Sequence, residues 1–92
     1  MYVLRVQHAV GDYAAWKAAF DSDPLGRGEA GVKSYRVLRP AGDPGHVMID
    51  LDFDTAAEAE AMEAALRELW TRVAVVVDPQ TQIVEEVEAG QY

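Results

Sequence analysis

A chain of 92 residues, half of them hydrophobic, is long enough for one domain with an ordered core and too short for two. It contains no cysteine, which excludes disulfides, thiol catalysis and cysteine-ligated metals, and it has no apolar run of about 18 residues to span a membrane. The net charge of −8 lies almost wholly in the second half: residues 1–49 carry six Lys/Arg against five Asp/Glu, residues 50–92 two against eleven. Such a balance speaks against nucleic acid and anionic membrane as partners, and an acidic surface favours solubility.

Tyr2–His8 alternates, with Tyr2, Leu4, Val6 and His8 on one face and Val3, Arg5 and Gln7 on the other. A period of two predicts a first strand with one dry face. Tyr2–Val10 is too short and too polar for a signal-peptide core, so a cytoplasmic location is expected. Gly11-Asp12 breaks the strand, and Asp12 is a suitable N-cap. Tyr13, Trp16 and Phe20 follow at spacings of three and four, which predicts a helix over roughly 12–22. Pro24, Gly26 and Gly28 end it, and residues 23–31 read as a mobile loop.

Val32–Phe53 reads as an antiparallel hairpin. Its second run is regular: Val47, Ile49, Leu51 and Phe53 share one face, Met48, Asp50 and Asp52 the other. Its first run is mixed, with Tyr35 and Val37 opposing Ser34, Arg36 and Leu38, as suits an edge strand. The prolines and glycines of residues 40–45 cannot continue a strand.

Thr55-Ala56-Ala57-Glu58 matches a capping box. Met62, Leu66, Leu69 and Val73 continue as a helical stripe beside Trp70, which predicts a second helix over about 55–71, with Glu63–Arg67 and Glu68–Arg72 as i,i+4 ion pairs. Val73–Val77 fits either a helix end or a short strand. Asp78-Pro79 predicts a break, and Ile83–Glu88 a last strand at a sheet edge, its charges discouraging further pairing. Ala89–Tyr92 is a frayed tail.

The order strand, helix, strand, strand, helix, strand is the α+β, ferredoxin-like βαββαβ plan with a four-stranded antiparallel sheet. Its sheet order makes the first and third strands central, and right-handed crossovers put both helices on one face. The other face is left bare and carries Val3, Arg5, Gln7, Met48, Asp50 and Asp52, with Arg5 and Asp50 near each other. A second copy of the chain is the expected partner for that face, giving a homodimer.

Val6–Trp16 with Phe20-Asp21, then Tyr35–Arg39 with Asp43-Pro44 and the Val47–Phe53 strand, resembles the dimeric α+β barrel proteins of the antibiotic biosynthesis monooxygenase-like superfamily across nearly the whole chain. The resemblance implies two sheets packed face to face in a dimer, helices outside, and a pocket in each subunit between sheet and helices. It also implies a small hydrophobic or aromatic ligand and, for an enzyme, monooxygenase-like or isomerase-like chemistry without a cofactor. Haem-degrading relatives use an Asn, Trp and His set. This chain has Trp16, Trp70, His8 and His46 but no asparagine, which speaks against haem degradation by that set.

Each candidate site residue has a structural alternative. His8 ends the first strand on the helix side, where it serves as a catalytic base or as a backbone-bonded histidine. Trp16 and Trp70 wall an aromatic pocket or fill the core. Tyr35 and Arg36 bind a ligand from the second strand, or Arg36 or Arg39 pairs with Asp43 or Asp52. His46 sits in a loop mouth, in solvent. No metal site is expected, because the two histidines lack a ligand-spaced carboxylate motif. Ser22 and Ser34 sit in no nucleophile elbow, and Gly26-Arg27-Gly28 does not open a helix after a strand as a phosphate loop must. Asp50, Asp52 and Asp54 lack the glycine and distal glutamate of a calcium loop. Two readings remain: a dimeric barrel that acts on a small aromatic molecule through His8, or a non-enzymatic ligand-binding or dimerisation module whose core is filled.

Overall fold

The computed structural model describes residues 1–73 and 76–92. The elements are β1 (Tyr2–Ala9), α1 (Tyr13–Asp21), β2 (Ser34–Leu38), β3 (His46–Phe53), α2 (Ala56–Trp70) and β4 (Val77–Glu85). All pairings are antiparallel, in the order β2-β3-β1-β4. This is the ferredoxin-like arrangement, and β1 and β3, the two most apolar runs, are its centre.

Local chemistry sets the helix starts. Asp12 Oδ1 accepts from the Ala15 amide at 3.3 Å, and Thr55 Oγ1 accepts from the Glu58 amide at 3.2 Å. The capping box closes differently from the sequence pattern: Thr55 Oγ1 also donates to Glu58 Oε1 at 2.9 Å. Of the two expected helix ion pairs, Arg72–Glu68 forms at 3.9 Å, whereas Arg67 leaves its helix and donates to Thr81 Oγ1 of β4.

The core lies between the sheet and the helices. Leu4 and Val6 of β1 meet Val47, Ile49, Leu51 and Phe53 of β3, covered by Trp16 of α1 and by Ala59 and Met62 of α2. The stretch after α1 is stitched by backbone bonds, Gly26 to Asp23, Ala30 to Gly26 and Val32 to Arg27, so the expected loop is a series of hydrogen-bonded turns. Gly31 there has φ 103, and a Cβ would meet the Glu58 carboxylate. Gly31→Ala is therefore expected to cost ~1–3 kcal/mol, measurable by urea denaturation. Gly28→Ala, with open space around it, should cost much less.

The last strand corrects the sequence reading. It starts at Val77 rather than Ile83 and ends at Glu85, so Asp78-Pro79 lies inside it. The ladder shifts there: Gln7 faces Gln80 and Ala9 faces Val77, so two residues of β4 oppose the single residue His8. This is a β-bulge. Asp78 takes φ 53, and Pro79, with no amide to donate, is tolerated because β4 is an edge strand. Helix α2 ends at Trp70. Of the segment left open between helix and strand, Val77 opens β4, and residues 74 and 75 lie outside the described part of the chain.

Candidate functional site

A cavity of about 300 Å³ lies between the sheet and the two helices. Val6, His8, Ile49 and Leu51 form its floor; Trp16 and Phe20 of α1 and Met62, Leu66 and Trp70 of α2 form its walls. The 22–27 turn closes one end. The lining is aliphatic and aromatic with a few polar groups, the make-up of small-molecule sites.

His8 is the polar group of the floor. Strand alternation points it to the helices with Leu4 and Val6, and it is 2 % exposed. Its Nδ1 lies 3.0 Å from the Ala9 carbonyl oxygen. A carbonyl only accepts, so Nδ1 carries the proton and Nε2 keeps a lone pair. Nε2 has no protein partner among the described residues. Trp16 and Trp70 flank the imidazole, with ring centroids at 5.9 and 6.4 Å. Burial pulls the His8 pKa below its ordinary 6.5, and the charge of nearby His46 adds to this, while the Ala9 hydrogen bond acts the other way. His8 is therefore neutral at pH 7. A neutral buried base suits acceptance of a hydrogen bond or a proton from a ligand.

The stability consequence has a definite sign. Above pH 6.5 the imidazole is neutral in both folded and unfolded chains. As pH falls below 6.5 the unfolded chain takes the proton first, so stability declines until the lowered folded-state value is passed. His8→Phe is expected to flatten that part of the stability-against-pH curve in urea titrations. An unchanged slope between neutral pH and the onset of carboxylate protonation would show that His8 titrates normally.

The other expected site residues separate. Trp16 and Trp70 line the cavity, but Trp16 is also stacked on Phe20 at 5.1 Å and belongs to the core. Tyr35 faces the helix side, edge-on to Phe20 at 5.5 Å, yet it is 53 % exposed and outside the cavity lining. Arg36 stands on the opposite face of the sheet. There it binds Asp52 through Nη1 at 3.0 Å and Nη2 at 3.1 Å, and reaches Asp50 at 3.4 Å. It is thus placed away from the cavity, and of the two acidic partners considered from sequence it takes Asp52. Arg39 lies over the Tyr13 ring, 5.3 Å from its centroid.

The residue that the sequence reading missed is Arg27. It lines the cavity from the closing turn. Its guanidinium carbon sits 3.9 Å from the Phe20 ring centroid, a cation–π contact, and Nη1 donates to the Phe20 carbonyl at 2.8 Å. Asp23, at φ 51, accepts the Arg27 amide at 2.9 Å and lies 3.5 Å from Nη1. A Gly-Arg-Gly run looks like loop in the sequence; only the turn geometry aims it.

The bare sheet face carries an ionic network. Arg5 pairs with Asp50 at 3.2 Å, Arg36 with both aspartates, and Ser34 donates to Asp52. Register explains it: Arg5, Asp50 and Arg36 stand in one row across three strands, with Ser34 and Asp52 in the next. Burial alone would raise the Asp52 pKa, but the Arg36 and Ser34 hydrogen bonds outweigh it and hold the carboxyl below its ordinary value.

No protein-family model matches the chain, and no curated protein matches it. Solved structures do. The NE2512 protein of unknown function from Nitrosomonas europaea is 21 % identical with a TM-score of 0.72, over 99 % of this chain and 93 % of that one. SnoaB, a cofactor-independent oxygenase from Streptomyces nogalater, is 10 % identical at a TM-score of 0.77, over 96 % and 94 %. A dimeric ferredoxin-like protein from an uncultured marine organism is 12 % identical at 0.65, over 97 % of both chains. An antibiotic biosynthesis monooxygenase shares the same architecture at a TM-score of 0.69. The chain shares its ferredoxin-like fold with these proteins. At these identities the likeness establishes the fold, end to end, and neither a family nor a reaction.

Among the described residues no helix is long and apolar enough to cross a membrane, and no group of three or more His, Asp or Glu side chains is placed to hold a metal ion.

Proposed function

We propose that the chain forms a homodimer through its open sheet face and binds a small aromatic molecule in the cavity of each subunit, acting on it without a cofactor. The observation that carries this reading is His8: a buried, neutral imidazole, lining an aromatic-walled cavity, whose Nε2 has no protein partner among the described residues. In the proposed reaction Nε2 takes the proton of a ligand hydroxyl, and the electron pair stays on the ligand. The electron-rich anion then donates electrons to dioxygen, or reprotonates at another position in an isomerisation. A cofactor-independent oxygenase of the same fold lends support.

The dimer is supported by the open face. Leu38 and Met48 are exposed on it, and it has no helix to cover it. Small domains commonly bury such a face against a copy of themselves. A structural neighbour of the chain is a dimer.

Native mass spectrometry of gently purified protein tests both parts. The expected result is a dimer mass with a retained small molecule, or one that retains an added polycyclic phenol. A monomer at micromolar concentration would overturn the dimer. A dimer that takes up no aromatic ligand would leave a filled-core module as the better description. Once a turned-over phenol is found, His8→Ala should lower its rate by roughly 10²–10⁴-fold with the dimer intact.

A further inference from the structure

We propose that the ligand of this cavity is an aromatic carboxylate whose anionic group is held by Arg27; the inference rests on the reading that the cavity takes an aromatic molecule. The cavity has two polar ends. His8 stands on the floor between Trp16 and Trp70, and Arg27 stands at the closing turn beyond Phe20. Trp16, Trp70 and Phe20 line the space between them, so a flat ligand lying along this aromatic wall meets a hydrogen-bond acceptor at one end and a cation at the other.

Arg27 is held in place for this task. Stacking on Phe20, the Nη1 bond to the Phe20 carbonyl and the Asp23 bond to its own amide fix both its backbone and its side chain. Its side chain is 19 % exposed, the least of the arginines that form ion pairs among the described residues. Nε and Nη2 carry no hydrogen bond to protein within that set, which leaves donors for a carboxylate. The Asp23 ion pair, at 3.5 Å and with the aspartate partly exposed, only partly offsets the charge. In a chain of net charge −8 an anion is repelled by most of the surface, so a cation in the lining decides whether one enters.

The test is calorimetric titration of the intact protein with 2-naphthoate and with its neutral isostere 2-naphthamide. Wild-type protein should bind naphthoate about tenfold more tightly or better, the range of a charge-assisted hydrogen bond over a neutral one. Arg27→Met should bring the two affinities together while naphthamide binding stays as in wild type, which also shows that the cavity is intact. Arg27→Lys should keep part of the preference. Asp23→Asn, which retains an acceptor for the Arg27 amide and removes the competing charge, should increase it. If Arg27→Met also loses naphthamide, wild-type protein decides: the preference must shrink as salt rises from about 20 to about 500 mM. Equal affinities in wild type, a preference that survives Arg27→Met, or one indifferent to salt would each overturn the role of Arg27 while leaving aromatic binding standing. Failure of both probes to bind would overturn the cavity reading itself.

Discussion

Trp16→Ala is expected to lower stability by ~3–5 kcal/mol, the range for removing a large buried aromatic. Trp16 is 5 % exposed, lies on the buried side of α1, and touches His8, Tyr13 and Phe20. It is the one residue of α1 in the buried core. Its loss therefore removes apolar contact and also the main attachment of the helix to the sheet. A nine-residue helix does not hold itself in water, so the turn carrying Arg27 would loosen with it. Urea denaturation at fixed protein concentration is the measurement, since dimer formation would make the midpoint concentration-dependent. Trp70→Ala is the comparison. Trp70 is only half-buried at the end of α2 and should cost roughly half as much, because hydrophobic stabilisation follows the area removed from water. If the two losses are equal, Trp16 is a cavity wall and not the anchor of α1.

Arg36→Met is expected to cost ~2–3 kcal/mol at pH 7. Breaking a buried ion pair costs ~3–5 kcal/mol; the lower figure allows for the half-exposed arginine, which water already screens. What remains is unfavourable because of the aspartates. Asp50 and Asp52 are each 7 % exposed, two apart on one strand face, and Arg36 bridges both. Arg5 still reaches Asp50, but Asp52 keeps only Ser34. The Arg36 bonds that help hold the Asp52 carboxyl below its ordinary value are then gone, while burial still opposes its charge. In wild type Asp52 stabilises the fold fully above pH 3.8, and this is lost as pH falls through the lowered folded value. In Arg36→Met that contribution is weakened, so the difference between the two proteins is largest at neutral pH and shrinks in acid. Denaturation at pH 7 and pH 3 measures it. A loss that is the same at both pH values would mean that Arg36 acts by packing its aliphatic stem.

The alternations in Tyr2–His8 and Val47–Phe53 determined the two central strands, because a period of two with one apolar face has a single way to bury itself. Asp12 and Thr55 determined where the helices begin, since their side-chain oxygens satisfy first-turn amides that have no partner within their own helix. From these the βαββαβ order, the bare sheet face and the Arg5–Asp50 neighbourhood all followed, and the direction of His8 with them.

Other features depended on contacts that local pattern does not encode. Proline after Asp78 signals a break in any sequence; here β1 supplies a partner, and the bulge opposite His8 absorbs the extra residue. Arg36 and Tyr35 are adjacent and alternate, so one had to face away from the helices, and the register with Asp50 and Asp52 decided what Arg36 would bind. Arg27 was hidden in a glycine-rich loop because its direction comes from the αL conformation of Asp23 and from the Phe20 ring, neither of which has a spacing to read. The sequence alone thus specified the scaffold and the base on its floor; tertiary structure decided which cation shares that base's cavity, because distant turns converge only after the core has packed.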